Sequence, residues 1–222
     1  MKSMDVFWIA LSDYYKWEQK WDLKLISIDW KNEFVIDLYD YFRNIETELL
    51  KVEKKLFEYV SWETLDIGCG TAFYFPILEK KASWLKWIDI SPKVIDIAKK
   101  MWFKNVEVKD FINDTCDKKY DTLTLLWNNL SMWWDINWTK RLLKKLKNTL
   151  TNNWQILAIL NKEDNDYFIW EFKFLYNWIV SESWKWIRFN LSFLWKMLEE
   201  EWLKLEVLDE SDWKYCLKIT RI

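Results

Sequence analysis

The chain has 222 residues, enough for one α/β domain or for one domain with a modest extension. Its formal net charge of -2 offers no basic surface to draw in nucleic acid, and it contains no His. That absence removes Ser-His-Asp and Cys-His catalysis, His-ligated zinc and a His general base together.

No apolar run approaches the ~18 residues of a membrane helix. The stretch 6–11 is too short for a signal peptide. Residues 5–16 read as a short helix, and 24–28 and 34–36 as two strands with Asp29-Trp30-Lys31-Asn32 between them. Asp-Gly there would be a strong hairpin signal; Asp-Trp is not one. Over 44–60, Ile45, Leu49, Val52, Leu56 and Tyr59 stand at helical spacing, and Ser61-Trp62 follows where a C′ glycine belongs.

From Glu63 onward strands and helices alternate: strand 64–67, helix 72–81, strand 85–90, helix 92–101 and strand 106–109. Strand 121–126, a basic amphipathic helix over 138–149 and strand 155–160 come next. An irregular, partly β insert precedes a helix at about 192–201 and strands 203–208 and 215–222. This pattern predicts an α/β fold with a Rossmann-like, doubly wound, seven-stranded and mostly parallel sheet. The last strand must be antiparallel, because 209–214 is too short for a helical crossover. The chain divides into a helix-hairpin-helix cap over 1–60 and an α/β domain over 61–222.

Three scattered Cys (Cys69, Cys116, Cys216) argue against a disulfide scaffold and for a reducing cytoplasm. The 20 Trp against 2 Gly are out of proportion, since average usage puts roughly 16 Gly in such a chain. Residues with GC-rich codons are scarce throughout: 2 Gly, 5 Ala, 4 Arg and 2 Pro against 29 Lys, as in an AT-rich genome. Some variant genetic codes read UGA as Trp and others read it as Gly. Many of these Trp are therefore expected to be UGA codons translated under the wrong table. Trp102 and Trp202 each follow a helix and precede a strand, while Trp154 and Trp213 follow Asn152-Asn153 and Ser211-Asp212. These are helix C-cap and turn slots. Trp186 and Trp195, with apolar neighbours, fit as genuine Trp.

Both glycines lie in Leu65-Asp66-Ile67-Gly68-Cys69-Gly70-Thr71-Ala72, where a strand runs through a tight turn into a helix. Gly68 and Gly70 let the backbone approach a ligand, and the helix presents free N–H groups. Asp89 ends the next strand, 21 residues beyond Gly68, where a carboxylate can take both hydroxyls of a ribose.

With Ile88-Asp89-Ile90-Ser91-Pro92, this turn resembles the class I S-adenosylmethionine-dependent methyltransferases, over about 63–160 by motif and to the C-terminus through the last strand pair. The resemblance implies S-adenosylmethionine as cofactor. It places Asp66, Gly68, Cys69, Gly70 and Thr71 by the methionine and ribose, and Asp89 with Ile90 at the ribose hydroxyls. Asp110 falls by the adenine amino group, Phe111 by the ring, and Asn128 in the segment facing the reactive methyl. Trp87 and Trp127 stand where the family often has Gly, and Ala72 where a third Gly is frequent. The leading segment, with Tyr41-Phe42-Arg43, is similar to that of small bacterial and archaeal methyltransferases. A nicotinamide-dependent oxidoreductase is the competing reading of the turn, but it would want Gly at Phe73 and has no need of Asp66.

A sulfonium is already a strong methyl donor, so the protein must hold the acceptor in line and exclude water. Without His, any base is Asp, Glu, Tyr or Lys. Asn128, Asp135 and Tyr41 are the catalytic candidates, with Asn129 and Arg43 by the same mouth. Asn128-Asn129-Leu130-Ser131 lacks the Asn/Asp-Pro-Pro-aromatic signature of DNA adenine methyltransferases. A small-molecule or protein acceptor is expected, with no nucleic acid, membrane or metal. A non-catalytic cofactor-binding or partner subunit of the same fold is the alternative.

Overall fold

A parallel sheet covered on both faces buries both sides of each strand, which is why its strands read as near-continuous apolar runs. In the computed structural model, which describes residues 3–116, 118–131 and 134–222, the central strands behave this way. β3 (Glu63–Ile67) buries its last four residues and β6 (Tyr120–Leu125) all but Asp121.

The chain order opens with α1 (Ser3–Tyr15), β1 (Leu23–Ser27), β2 (Glu33–Ile36) and α2 (Lys51–Phe57), ahead of β3. Then come α3 (Phe75–Lys81), β4 (Trp84–Asp89), α4 (Pro92–Lys100) and β5 (Val106–Val108) before β6. The second half holds α5 (Ile136–Thr149), β7 (Leu150–Asn161), β8 (Tyr167–Tyr176), β9 (Ile179–Val180) and β10 (Trp184–Phe189). α6 (Leu191–Glu200), β11 (Leu203–Glu210) and β12 (Lys214–Arg221) close it.

Seven strands form the main sheet in the order β11-β12-β7-β6-β3-β4-β5. β3 to β7 pair in parallel; β12 pairs antiparallel with both β7 and β11. This is the expected Rossmann-like, doubly wound sheet with an antiparallel last strand. One face is covered by α5 and α6 through Leu142, Leu146, Leu194 and Leu198. The other is covered by α2, α3 and α4 through Val52, Leu56, Leu78 and Ile95. Each fully buried Leu contributes about 1.5–3 kcal/mol by transfer from water.

The insert is more regular than its sequence indicates. β8 pairs β1 (Lys24 opposite Leu175) and β10, giving a second antiparallel sheet, β10-β8-β1-β2, with β9 on β8. α1 packs on this sheet, and α4 lies between the two layers: Ile95 and Ala98 face the main sheet, Val94 and Ile97 face α1. The helix expected over 44–60 forms only over Lys51–Phe57. The preceding stretch is held as a turn, because the Glu46 N–H donates to the Asn44 side chain (3.1 Å) and Arg43 Nη1 donates to the Glu48 carbonyl (3.2 Å). Likewise α3 begins at Phe75, not at 72: Ala72 sits at φ 58°, in the left-handed region.

Among the described residues seven Trp adopt positive φ: Trp17, Trp30, Trp62, Trp102, Trp127, Trp178 and Trp202, between 54° and 64°. At the end of α4, Trp102 N–H bonds the Lys99 carbonyl (3.0 Å) and Phe103 N–H bonds the Ala98 carbonyl (3.1 Å). That bond pair is a Schellman cap with Trp102 at its left-handed position. Trp17 repeats it after α1, with bonds to Tyr14 (3.0 Å) and from Glu18 to Asp13 (2.8 Å). Between the paired residues Tyr176 and Ile179, Asn177 (φ 47°) and Trp178 (φ 63°) make a two-residue turn with both φ positive, the type I′ hairpin that favours Asn-Gly. Trp202 follows the same rule as Trp102, but Trp154 and Trp213 do not: neither has positive φ, and Trp154 is a buried residue within β7. No helix among the described residues is long and apolar enough to cross a membrane.

Candidate functional site

In a doubly wound sheet the chain reverses its direction of winding at one point, and ligands bind outside the carboxyl ends of the strands there. Here that point lies between β3 and β6, the neighbours from which the order runs out to β5 on one side and to β11 on the other. The glycine turn leaves β3 at this place and the Leu126–Asn129 segment leaves β6.

The turn is fixed to β4 from both ends. Gly68 N–H and Cys69 N–H both donate to the Ile88 carbonyl (2.9 and 3.0 Å). Gly68 and Gly70 take φ of 73° and 56°, and a Cβ on Gly68 would meet Asn129 Nδ2 at 2.7 Å. Asn129 braces the turn by donating from Nδ2 to the carbonyls of Ile67 and Gly68, both at 2.9 Å. At Gly70 a Cβ would meet nothing within 4 Å, so open space lies beside the turn.

Asp89 closes β4, buried, with one carboxylate oxygen accepting from Gly70 N–H (3.0 Å) and the other from Ser91 N–H (2.9 Å). Burial raises its pKa to about 6, against the lowering effect of those two N–H donors. Asp66 is buried within β3 and accepts from the Thr124 hydroxyl. Burial, opposed by that hydrogen bond and aided by the charge of Asp89, lifts its pKa to about 7. Thr71 donates its hydroxyl to the Tyr41 carbonyl and so ties the turn to the N-terminal segment. Cys69 is buried, and desolvation pushes its thiol well above the ordinary range, so it is packing and not a nucleophile. Ile90, 61% exposed, stands just past Asp89 on the open side.

The other candidate residues also make contacts within the protein. The Asp110 carboxylate accepts from the N–H groups of Ile112 (3.0 Å) and Asn113 (3.1 Å), capping its own loop. Phe111 is buried in the core with Leu65 and Ile88. Asn128, at φ 65°, accepts from Asn161 N–H (2.9 Å) and so fastens the end of β6 to β7. Asp135 is the N-cap of α5, accepting from Trp138 N–H (2.9 Å). Tyr41 remains at the mouth, its ring stacked on Trp127 (centroids 5.1 Å, 27° between planes). Burial drives its hydroxyl above the ordinary Tyr range, which suits it to donate a hydrogen bond and not to accept a proton as phenolate.

One cluster has no local signature in the sequence. Arg43 Nη2 donates to Glu53 Oε1 (2.8 Å), Tyr74 Oη donates to the same oxygen, and the other carboxylate oxygen accepts from Leu50 N–H (2.8 Å). All three side chains are buried. Arg43 also lies over the rings of Phe73 and Trp127. A separate open recess, walled by Glu63, Trp84, Glu107 and Lys118, lies at the amino ends of the strands and touches none of these groups.

No protein-family model matches the chain, and no curated protein matches it in sequence. Its fold is shared by solved methyltransferases. A SAM-dependent methyltransferase from Bacteroides fragilis, in complex with S-adenosyl-L-homocysteine, superposes with a TM-score of 0.85 at 20% identity, over 100% of this chain and 96% of that one. A second, from Clostridium acetobutylicum, gives 0.61 at 13% identity over 82% and 96%. A sugar N-methyltransferase from a Streptoalloteichus species gives 0.61 at 12% identity over 86% and 96%. The chain thus has the Rossmann-like methyltransferase fold.

Proposed function

We propose that the chain is an S-adenosylmethionine-dependent methyltransferase with a small-molecule acceptor. One observation carries the reading: a buried carboxylate, Asp89, is held by two backbone N–H groups at the carboxyl end of β4, beside a left-handed glycine turn at the switch point. Each oxygen keeps a lone pair for one hydroxyl of a ribose diol. The open space beside Gly70 leaves room for the ligand, so these residues fit the adenosine half of the cofactor. When bound, the cofactor supplies a methyl group on a sulfonium.

The chain's own part is to grip and orient. Asp89 holds the ribose, and Gly68 to Thr71 bring their backbone up to the ligand. Tyr41 and Arg43, with the 1–60 cap and the second sheet beside it, close the acceptor side against water. Asn128 and Asp135 hold backbone N–H groups and Tyr41 keeps its proton, so we assign none of the three a proton-accepting role. The bound S-adenosylhomocysteine of the Bacteroides structure supports the cofactor, and the sugar substrate class of the Streptoalloteichus enzyme supports a small acceptor. The free thiols of Cys69, Cys116 and Cys216 fit a reducing, cytoplasmic setting.

The test is turnover: purified chain with methyl-labelled S-adenosylmethionine and a small-molecule extract of its source. Formation of S-adenosylhomocysteine with label in an extracted compound supports the reading. Cofactor binding with no label transferred to any fraction would favour a non-catalytic partner subunit instead.

A further inference from the structure

We infer that residue 127 is a glycine in the cellular protein, and that the space its indole fills is an acceptor chamber for an anionic group, set between Lys214 and Arg43. This rests on the methyltransferase reading and adds the acceptor's chemistry to it.

The glycine follows from the backbone. Trp127 has φ 55°, and six further Trp share that region, Trp17 and Trp102 in Schellman caps and Trp178 in a type I′ turn. Bulky aromatic residues are genuine outliers there, whereas glycine is the default. Several of these indoles lie almost wholly in solvent: Trp17 and Trp102 are 95% and 89% exposed, and Trp178, 81% exposed, meets only the edge of Trp21 among the described rings. Others meet the opposite problem, since Trp87 and Trp184 bury an indole N–H with no acceptor among the described residues. Two misfits of opposite kind, in a chain whose only 2 Gly lie in one turn, have a common cause in UGA codons that the source reads as Gly.

Removing the indole at 127 empties a space at the carboxyl end of β6. Tyr41 stacks against it at 5.1 Å, Phe73 meets it edge-on at 5.9 Å, and the Arg43 guanidinium and Lys214 ammonium lie 5.3 and 5.1 Å from its centroid. Arg43 is already paired with Glu53. Lys214 is half-buried and forms no ion pair among the described residues. Burial lowers its pKa, with the Arg43 charge acting in the same direction and the Glu53 and Asp40 carboxylates opposing it. A carboxylate or phosphate-type oxygen in the chamber would supply a counter-charge. Such an oxygen also needs no base: its lone pair forms the O–CH3 bond as the S–CH3 bond breaks. The electron pair goes to sulfur, giving S-adenosylhomocysteine and a neutralised or less charged ester, with no proton released.

Gene sequence comes first: UGA at codon 127 and at the six other left-handed positions is expected, and UGG at 127 overturns the inference. The second arm uses the full chain as Trp127→Gly, saturated with S-adenosylhomocysteine, with methylphosphonate and benzoate as anion probes in thermal unfolding and calorimetry. At least one probe is expected to bind, and Lys214→Met in that background should weaken it about tenfold, the loss of one charge-assisted contact. The unfolding midpoint of the double variant reports that it folds. No binding of either probe, or equal binding with and without Lys214, overturns the chamber. Failure of S-adenosylhomocysteine itself to bind would instead remove the methyltransferase reading on which the chamber rests.

Discussion

Replacing Trp102 with Gly should stabilise the protein, which is the reverse of what deleting an aromatic side chain usually does. Trp102 occupies the left-handed slot of the Schellman cap after α4 at φ 64°, with its ring 89% exposed. A left-handed backbone costs an L-residue roughly 1–2 kcal/mol. Glycine's greater freedom in the unfolded chain returns roughly 0.5–1 kcal/mol of that. Little packing is lost from so exposed a ring, leaving a net gain of about 0.5–1 kcal/mol. At ~2–4 °C per kcal/mol for chains of this size, the unfolding midpoint should rise by about 1–4 °C. Calorimetric or circular-dichroism melting measures it, with Trp213→Gly as control: that ring is 80% exposed but its φ is not positive. Trp17→Gly should add to Trp102→Gly, because the caps are separate. A midpoint at or below that of the parent for Trp102→Gly, or an equal rise for Trp213→Gly, would refute the role of left-handed strain.

Asp89→Ala should weaken S-adenosylhomocysteine by more than about a hundredfold, since two hydrogen bonds to a charged carboxylate are worth ~1.5–3 kcal/mol each; titration calorimetry reads it. The same ligand should bind independently of pH above about 7 and lose about tenfold per unit well below pH 6, because diol binding favours the ionised Asp89 and a proton must leave first. Asp66 acts on stability: its folded pKa, about 7, lies above the unfolded value of ~3.9, so its contribution is full below that lower value and is lost as pH rises through the folded one. Asp66→Asn should flatten the fall in stability over that window, as followed by urea unfolding at several pH values. Gly68→Ala should destabilise the turn and abolish cofactor binding, since its Cβ falls 2.7 Å from Asn129 Nδ2 at a φ of 73°. Asp135→Ala should cost about 1 kcal/mol of stability by uncapping α5 while leaving cofactor affinity intact.

Local signals in the sequence carried the sheet and the turn. Alternating apolar strands and amphipathic helices fix a doubly wound sheet, and the short 209–214 link leaves β12 no route but antiparallel. The Gly68 turn and Asp89 are legible because backbone geometry there demands particular residue types. Pairing across long separations is not legible: nothing in 24–27 points to its β8 partners at 172–175, and the two strands meet only through the tertiary fold. The same holds for Glu53, whose partners Arg43 and Tyr74 come from other elements. Its one sequence signal is a charge beside the apolar pair Val52 and Leu56 on a helix. Asn128 and Asp135 show a different limit. Polar residues at strand and helix ends serve capping and catalysis equally well, and the hydrogen bonds to Asn161 and Trp138 that establish the capping leave no mark in the local sequence. The Trp positions lie between these cases, since turn chemistry marked Trp102 and Trp202 correctly and misjudged Trp154, which β7 buries.

The most direct measurement is calorimetric titration of S-adenosylhomocysteine into the protein, as Trp127 and as Trp127→Gly, each with and without Asp89→Ala. Saturable binding at one site per chain is expected in the Trp127→Gly form, lost when Asp89 is removed. Absence of binding in both parent forms, or an affinity indifferent to Asp89, would contradict the cofactor assignment.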